Sequence, residues 1–175
     1  VTEDMHLEPL TDYSKFKAQC EDILNKSASD DFIVSTIRPS TVCGFSKRQR
    51  LDLVVNILTN HGYHNRKIKV FGGKQLRPNI HIDDMVNSYL VLLKANSKKI
   101  NREIFNVGFK NQTVNELAYD VKSVLGNDID IVNSISNDNR SYHVNSDKIF
   151  NILGFKPKKT VKNAVFNKFL QTWRP

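Results

Sequence analysis

Phe32-Ile33-Val34-Ser35-Thr36-Ile37, with Arg38 and Pro39 behind it, is the stretch on which the fold turns. Its β-branched and aromatic residues suit a pleated, buried surface. The run is too short for a helix. It is bounded by Asp30-Asp31 on one side and on the other by Pro39, which cannot donate to a ladder, so it reads as a buried strand. Upstream, Thr11 to about Lys26 reads as an amphipathic helix with Thr11 and Asp12 as N-terminal caps. Downstream come a loop over 39–49 and a helix from Arg50 to about His61, with Leu51, Val54, Val55 and Leu58 on one face. A short strand follows over Lys67–Phe71, closed by Gly72-Gly73, then another over Asn79–Ile82. Asp83 is expected to cap a helix to about Ala95, with Met85, Val86, Tyr89, Leu90, Leu92 and Leu93 as its core face. Glu103–Val107 is a strand. Thr113 and Glu116 form a capping box that opens a helix to Leu125. Ile129–Ser134 is a strand, Ser146 caps a short helix stopped at Leu153-Gly154, and Thr160 to Trp173 is the last helix, with Trp173 as a packing anchor. Strands alternate with helices, which is the α/β class.

The 175 residues, 39% hydrophobic and 25% charged, are enough for a sizeable core. No apolar run approaches the roughly 20 residues that a membrane helix needs. Cys20 and Cys43 have no metal-ligand spacing, and two such cysteines point to a reducing, cytoplasmic setting. His81 with Asp83-Asp84 has no third ligand at a useful spacing, so no metal is expected. Net charge is +8. The lysines are scattered, and no zinc or RNA-binding motif is present, so an anionic small molecule suits this charge better than nucleic acid.

The chemistry starts at Tyr13-Ser14-Lys15-Phe16-Lys17. Tyr13 and Lys17 stand four apart at the start of the first helix, one turn apart on one face. A free tyrosine holds its proton to about pH 10. A neighbouring ammonium favours the phenolate, so such a tyrosine trades a proton nearer neutrality. Lys15 faces solvent. The plain alternative is a surface aromatic beside a solvated lysine.

Five segments, in order, carry a resemblance. They are Thr11 to Lys17; Ile37-Arg38-Pro39-Ser40-Thr41-Val42-Cys43-Gly44; Arg77-Pro78-Asn79-Ile80-His81-Ile82-Asp83-Asp84-Met85-Val86; Phe105-Asn106-Val107-Gly108 with Thr113-Val114-Asn115-Glu116-Leu117; and Arg140 with Tyr142, then Ser146 to Ile149 and Leu153 to Pro157. Together they resemble the C-terminal portion of an extended short-chain dehydrogenase/reductase of the NAD-dependent epimerase/dehydratase family. The resemblance implies the C-terminal part of a Rossmann-like doubly wound sheet plus a small α/β substrate-binding domain. About 1–50 and 79–110 would belong to the first, and about 50–78 and 111–175 mainly to the second.

The resemblance also implies roles. Tyr13 would be the acid/base for hydride chemistry at a sugar carbon, and Lys17 would hold the nicotinamide ribose hydroxyls. Pro39 and Val42 would lie beside the nicotinamide of NAD or NADP. Arg77 and Arg140 would grip the diphosphate of a nucleoside-diphosphate sugar, as guanidinium forks do. Arg50 and Asn56, on the segment with Arg48 and Asp52, would touch the sugar or base. The tyrosine helix would also pack in a homodimer, through Phe16, Ile23 and Leu24, although Phe16 and Leu24 serve equally as core. Cys43 reads as a small buried hydrophobe.

The family's glycine-rich pyrophosphate turn has no counterpart among Gly44, Gly62, Gly72, Gly73, Gly108, Gly126 and Gly154, and its upstream catalytic Ser/Thr strand is absent. The first residue is Val1. The expectation is therefore the back part of a longer enzyme that, alone, neither holds NAD tightly nor turns over. The alternatives are a non-catalytic basic binding module, whose binding would collapse as salt rises, or a remnant that needs a complementing N-terminal half.

Overall fold

The computed structural model describes residues 1–136 and 141–172, with 167–172 as backbone only. Arg140 and Trp173 lie outside the described residues. The architecture is α/β. Helix α1 (Asp12–Ser27) precedes strand β1 (Ser35–Pro39). Then come β2 (Thr41–Cys43), α2 (Val54–Asn65), β3 (Lys67–Phe71), β4 (Leu76–His81), α3 (Ile82–Lys94) and the single turn α4 (Ser97–Ile100). β5 (Glu103–Val107), β6 (Lys110–Thr113), α5 (Val114–Leu125), β7 (Asp130–Ser134), α6 (Asp147–Leu153) and α7 (Val161–Thr172) complete the chain.

The strands form three small sheets, ordered β1-β5, β2-β4-β6 and β3-β7. All pairs are parallel except β4-β6. The first strand begins at Ser35, three residues later than its composition predicts, and Pro39 is its last paired residue, opposite Val107. β2, β6 and α4 escape the sequence reading. Each is three or four residues long, too short for any period to show.

Two cores result. Val55 and Leu58 of α2, Ile68 and Val70 of β3, Leu117 and Val121 of α5, and Ala164 and Val165 of α7 build one. Ile80, Met85, Phe105, Val107, Ile149 and Phe155 build the other. β3 alternates as a half-buried strand should, with Ile68 and Val70 inward and Lys67, Lys69 and Phe71 outward.

Three helix expectations need correction. α2 starts at Val54, not Arg50. Arg50 and Asp52 pair with each other, and Asn56 Nδ2 donates to the Arg50 carbonyl at 2.8 Å, so residues 50–53 are held as a turn. α3 is capped by His81, whose Nδ1 accepts from Asp83 N at 3.0 Å, not by Asp83. Only two of the six residues of its predicted core face are buried. Met85 and Leu92 are buried, but Val86, Tyr89, Leu90 and Leu93 are exposed. At α6, Ser146 holds the N-cap position without a capping bond, and Asn145 Oδ1 accepts from Asp147 N instead. Of the two cap candidates at α1, Thr11 is the N-cap, in a box with Ser14, and Asp12 is the first helical residue; the expected Thr113–Glu116 box is formed.

Candidate functional site

The polar turn ahead of α2 sits between two cavities. The larger, about 650 Å³, is lined by Thr41, Asp52, His61, Lys69, Arg77 and Tyr142, among others. The smaller, about 150 Å³, is lined by Val42, Gly44, Arg48, Arg50 and Asn56. Leu53 borders both. The bidentate Arg50–Asp52 pair therefore spans them, with Arg50 on the small side and Asp52 on the large side. Bonding to Arg50 pulls the Asp52 carboxyl below the usual carboxylate range, and Asp52 raises the Arg50 guanidinium.

Each wall follows from local chain physics. Val42 lies in β2 beside Ile80 of β4. Gly44 follows at φ +116°, a conformation that only glycine adopts cheaply, and an added Cβ would sit 2.9 Å from Ile82 Cγ2. Backbone therefore passes close to α3 here. Cys43 is buried and donates to Ile80 O, and burial pushes its thiol up to about 12, as a packing residue rather than a nucleophile. Lys69 stands over the Phe71 ring at 4.8 Å, and both line the larger cavity because strand alternation turns them to one face. Arg77, on β4, donates through Nη1 to Leu76 O.

Tyr13 lies within electrostatic reach of Arg50. Val42, Arg50 and Asn56 line the smaller cavity and Arg77 the larger, whereas Tyr13 lines neither. Lys17 shares the α1 surface with Tyr13, and both are exposed. Pro39 is an exposed strand end, and the next amide, Ser40 N, donates to Val107 O at 2.8 Å. Asn56 is only 4% exposed, and its amide is spent on Arg50 O. Phe16, Ile23 and Leu24 are exposed, so none of them is core within this chain.

The His81-Ile82-Asp83-Asp84 segment is structural. His81 is 2% exposed, and burial lowers its pKa. Asp83 pairs with Lys159, whose bond holds the Asp83 carboxyl down. Asp84, 5% exposed, accepts from Lys158 N at 3.0 Å and Lys159 N at 2.7 Å. Among the described residues no three His, Cys, Asp or Glu side chains converge on a metal position. No described helix is long and apolar enough to cross a membrane.

His61, Lys69 and Phe71 are cavity residues that no sequence motif flags. The β3 alternation was the available signal for the last two.

A curated UDP-glucose 4-epimerase of Lactobacillus helveticus is 27% identical over 177 aligned positions, covering 90% of this chain and 54% of the relative. This chain thus spans about half the length of that relative. The crystal structure of the Thermotoga maritima UDP-glucose 4-epimerase with UDP-glucose superposes with a TM-score of 0.82 at 23% identity, over 95% of this chain and 55% of that one. The dTDP-glucose 4,6-dehydratase of Bacillus anthracis, in complex with NAD, does so at 0.80 and 22% identity, over 98% of this chain and 56% of that one. The profile of the NAD dependent epimerase/dehydratase family matches residues 1–108, and the chain belongs to that family.

Proposed function

We propose that this chain is the catalytic-helix and substrate-side portion of a nucleotide-sugar epimerase or dehydratase. It would work with NAD(P) held by a dinucleotide-binding segment outside these residues. What supports the reading is that Val42, Gly44 and Arg50 line one cavity, Asp52 and Arg77 line the adjoining one, and Tyr13 lies within electrostatic reach of Arg50. A cationic fork in a cavity of that size suits a diphosphate, with the sugar reaching toward Tyr13. On this reading residues of about 1–50 and 79–110 serve the cofactor side, and about 50–78 and 111–175 mainly the substrate.

Bound NAD(P) supplies the hydride acceptor. The donor set present fits it: an ammonium at Lys17 suits vicinal ribose hydroxyls, and the backbone around Val42 passes with no side chain at Gly44. Tyr13 accepts the proton of the sugar hydroxyl as that carbon is oxidised and returns it on reduction. Lys17 supports the phenolate electrostatically and orients the ribose. Arg77, with Arg140, holds the diphosphate and so fixes the sugar against Tyr13. The exposed Phe16, Ile23 and Leu24 face a second copy in a homodimer. Two unpaired cysteines, Cys20 and Cys43, fit a cytoplasmic setting.

The test is calorimetric titration of UDP into this chain. An arginine–phosphate bond is worth about 1.5–3 kcal/mol, so Arg77→Met should weaken binding about 10- to 150-fold. Absent UDP binding, or equal affinity in Arg77→Met, overturns the substrate reading. In the complete enzyme Tyr13→Phe should remove nearly all turnover while leaving UDP affinity unchanged.

A further inference from the structure

α1 carries the proposed acid/base, yet none of its side chains is buried. Its other side-chain bonds stay local: Lys15 to Asp12, Lys26 to Asp22, Ser27 to Ile23 O, and the Thr11–Ser14 box. Among the described residues, only Glu21 hydrogen-bonds from this helix to another element. Arg38 Nε lies 3.1 Å from both Glu21 carboxylate oxygens, and Nη2 donates to Oε2 at 2.7 Å. Both side chains are only about one-fifth exposed. Arg38 Nη1 also reaches Glu3 O at 3.3 Å, and Glu3 Oε1 accepts from Asn106 N at 2.7 Å on β5.

Two placements give this fork its meaning. Glu21 is eight residues after Tyr13 and four after Lys17, so the three share one helical stripe over about 12 Å. Arg38 sits in β1 immediately before Pro39, and so three residues before Thr41–Cys43, where Val42 lines the small cavity. The same strand that ends at the proposed cofactor segment therefore grips the helix that presents the proposed proton carrier. A planar bidentate fork fixes orientation as well as distance, which a point charge does not.

We infer that Arg38 and Glu21 are positioning residues. Their fork sets the rotation of α1 about its axis and so aims Tyr13 and Lys17 at the Val42 segment. This rests on the catalytic reading above for its consequence, but not for the tether itself. A phenol tip stands about 9 Å from its helix axis, so a 20° rotation moves it about 3 Å, and a displacement of about 1 Å is enough to cost roughly 10²-fold in rate.

The test compares Arg38→Lys, Glu21→Gln and the swapped pair Glu21→Arg/Arg38→Glu. Amide exchange of residues 13–26 and thermal melting are read on this chain, and kcat and KM with UDP-glucose and NAD on the complete enzyme. Arg38→Lys keeps the charge and loses the fork. It should melt near wild type, exchange its α1 amides at least 10-fold faster and lose about 10- to 100-fold in kcat at unchanged KM. The swapped pair should recover a large part of both. Wild-type α1 exchange in Arg38→Lys and Glu21→Gln overturns the tether, whatever Tyr13→Phe does. Faster exchange with unchanged kcat overturns the aiming role, provided that Tyr13→Phe is inactive. If Tyr13→Phe remains active, the catalytic reading is what falls, and the exchange data still decide the tether.

Discussion

Replacing Asp84 by alanine should unlatch the segment that leads into α7. The carboxylate is 5% exposed, and its Oδ2 receives two backbone N–H groups, from Lys158 at 3.0 Å and Lys159 at 2.7 Å. Removing the acceptor leaves both donors without it. A buried donor left unsatisfied costs about 1–3 kcal/mol, which for two gives about 2–6 kcal/mol. The lower half of that range is expected, because both bonds are only partly buried. For a chain of this size each kcal/mol moves Tm by about 2–4 °C, so Asp84→Ala should melt roughly 5–15 °C lower. Asp84→Asn keeps the shape and one acceptor oxygen and loses the charge, so it should cost about half as much. Urea and thermal denaturation followed by far-ultraviolet circular dichroism measure both. Asp84→Ala within about 0.5 kcal/mol of wild type, or Asp84→Asn as costly as Asp84→Ala, would refute the latch.

Burial depresses the His81 pKa below 6.5, so the unfolded chain binds more protons below that pH and stability should fall as pH drops through about 6.5 and below. His81→Asn keeps a cap acceptor and should flatten that limb of a pH–stability curve. Asp83, held down by Lys159, contributes stability above its unfolded value of 3.8 that is lost only as pH falls lower still, so Lys159→Met should steepen nothing between pH 5 and 8. Cys43, raised to about 12 by burial, should resist a thiol reagent at pH 8 while exposed Cys20 reacts, with two thiols titrating only after unfolding. At Gly108 an added Cβ would lie 2.4 Å from Ser40 Oγ. Gly108→Ala should therefore cost about 1–3 kcal/mol, and Ser40→Ala in the same chain should recover part of it in a urea titration.

Local order was legible from the chain because its causes are local. Thr113 and Glu116 announce a capping box, Lys67–Phe71 alternates every second residue, and Tyr13 and Lys17 face one way because a helix turns in 3.6 residues. Chain order alone also implied an α/β fold. What crosses the molecule was not legible. The exposed Val86, Tyr89, Leu90 and Leu93 show the limit, since hydrophobicity predicts a tendency to be covered and not what covers it. The start of α2 was lost for a related reason: Arg50, Asp52 and Asn56 spend their polar groups on one another, which delays the helix by four residues. His81 rather than Asp83 caps α3 because β4 delivers the imidazole to the waiting amide.

The spacing of residues along the chain was sufficient to place Tyr13 and Lys17 on one helical face, because backbone geometry ties neighbours in sequence to fixed directions. It could not say where that face points. Folding decides that when Arg38 on β1 meets Glu21 on α1 across 17 positions, and when β3, β4 and the segment before α6 bring Lys69, Arg77 and Tyr142 to one cavity. Such contacts depend on how strands and helices pack, and the energies that choose among packings are summed over the whole chain.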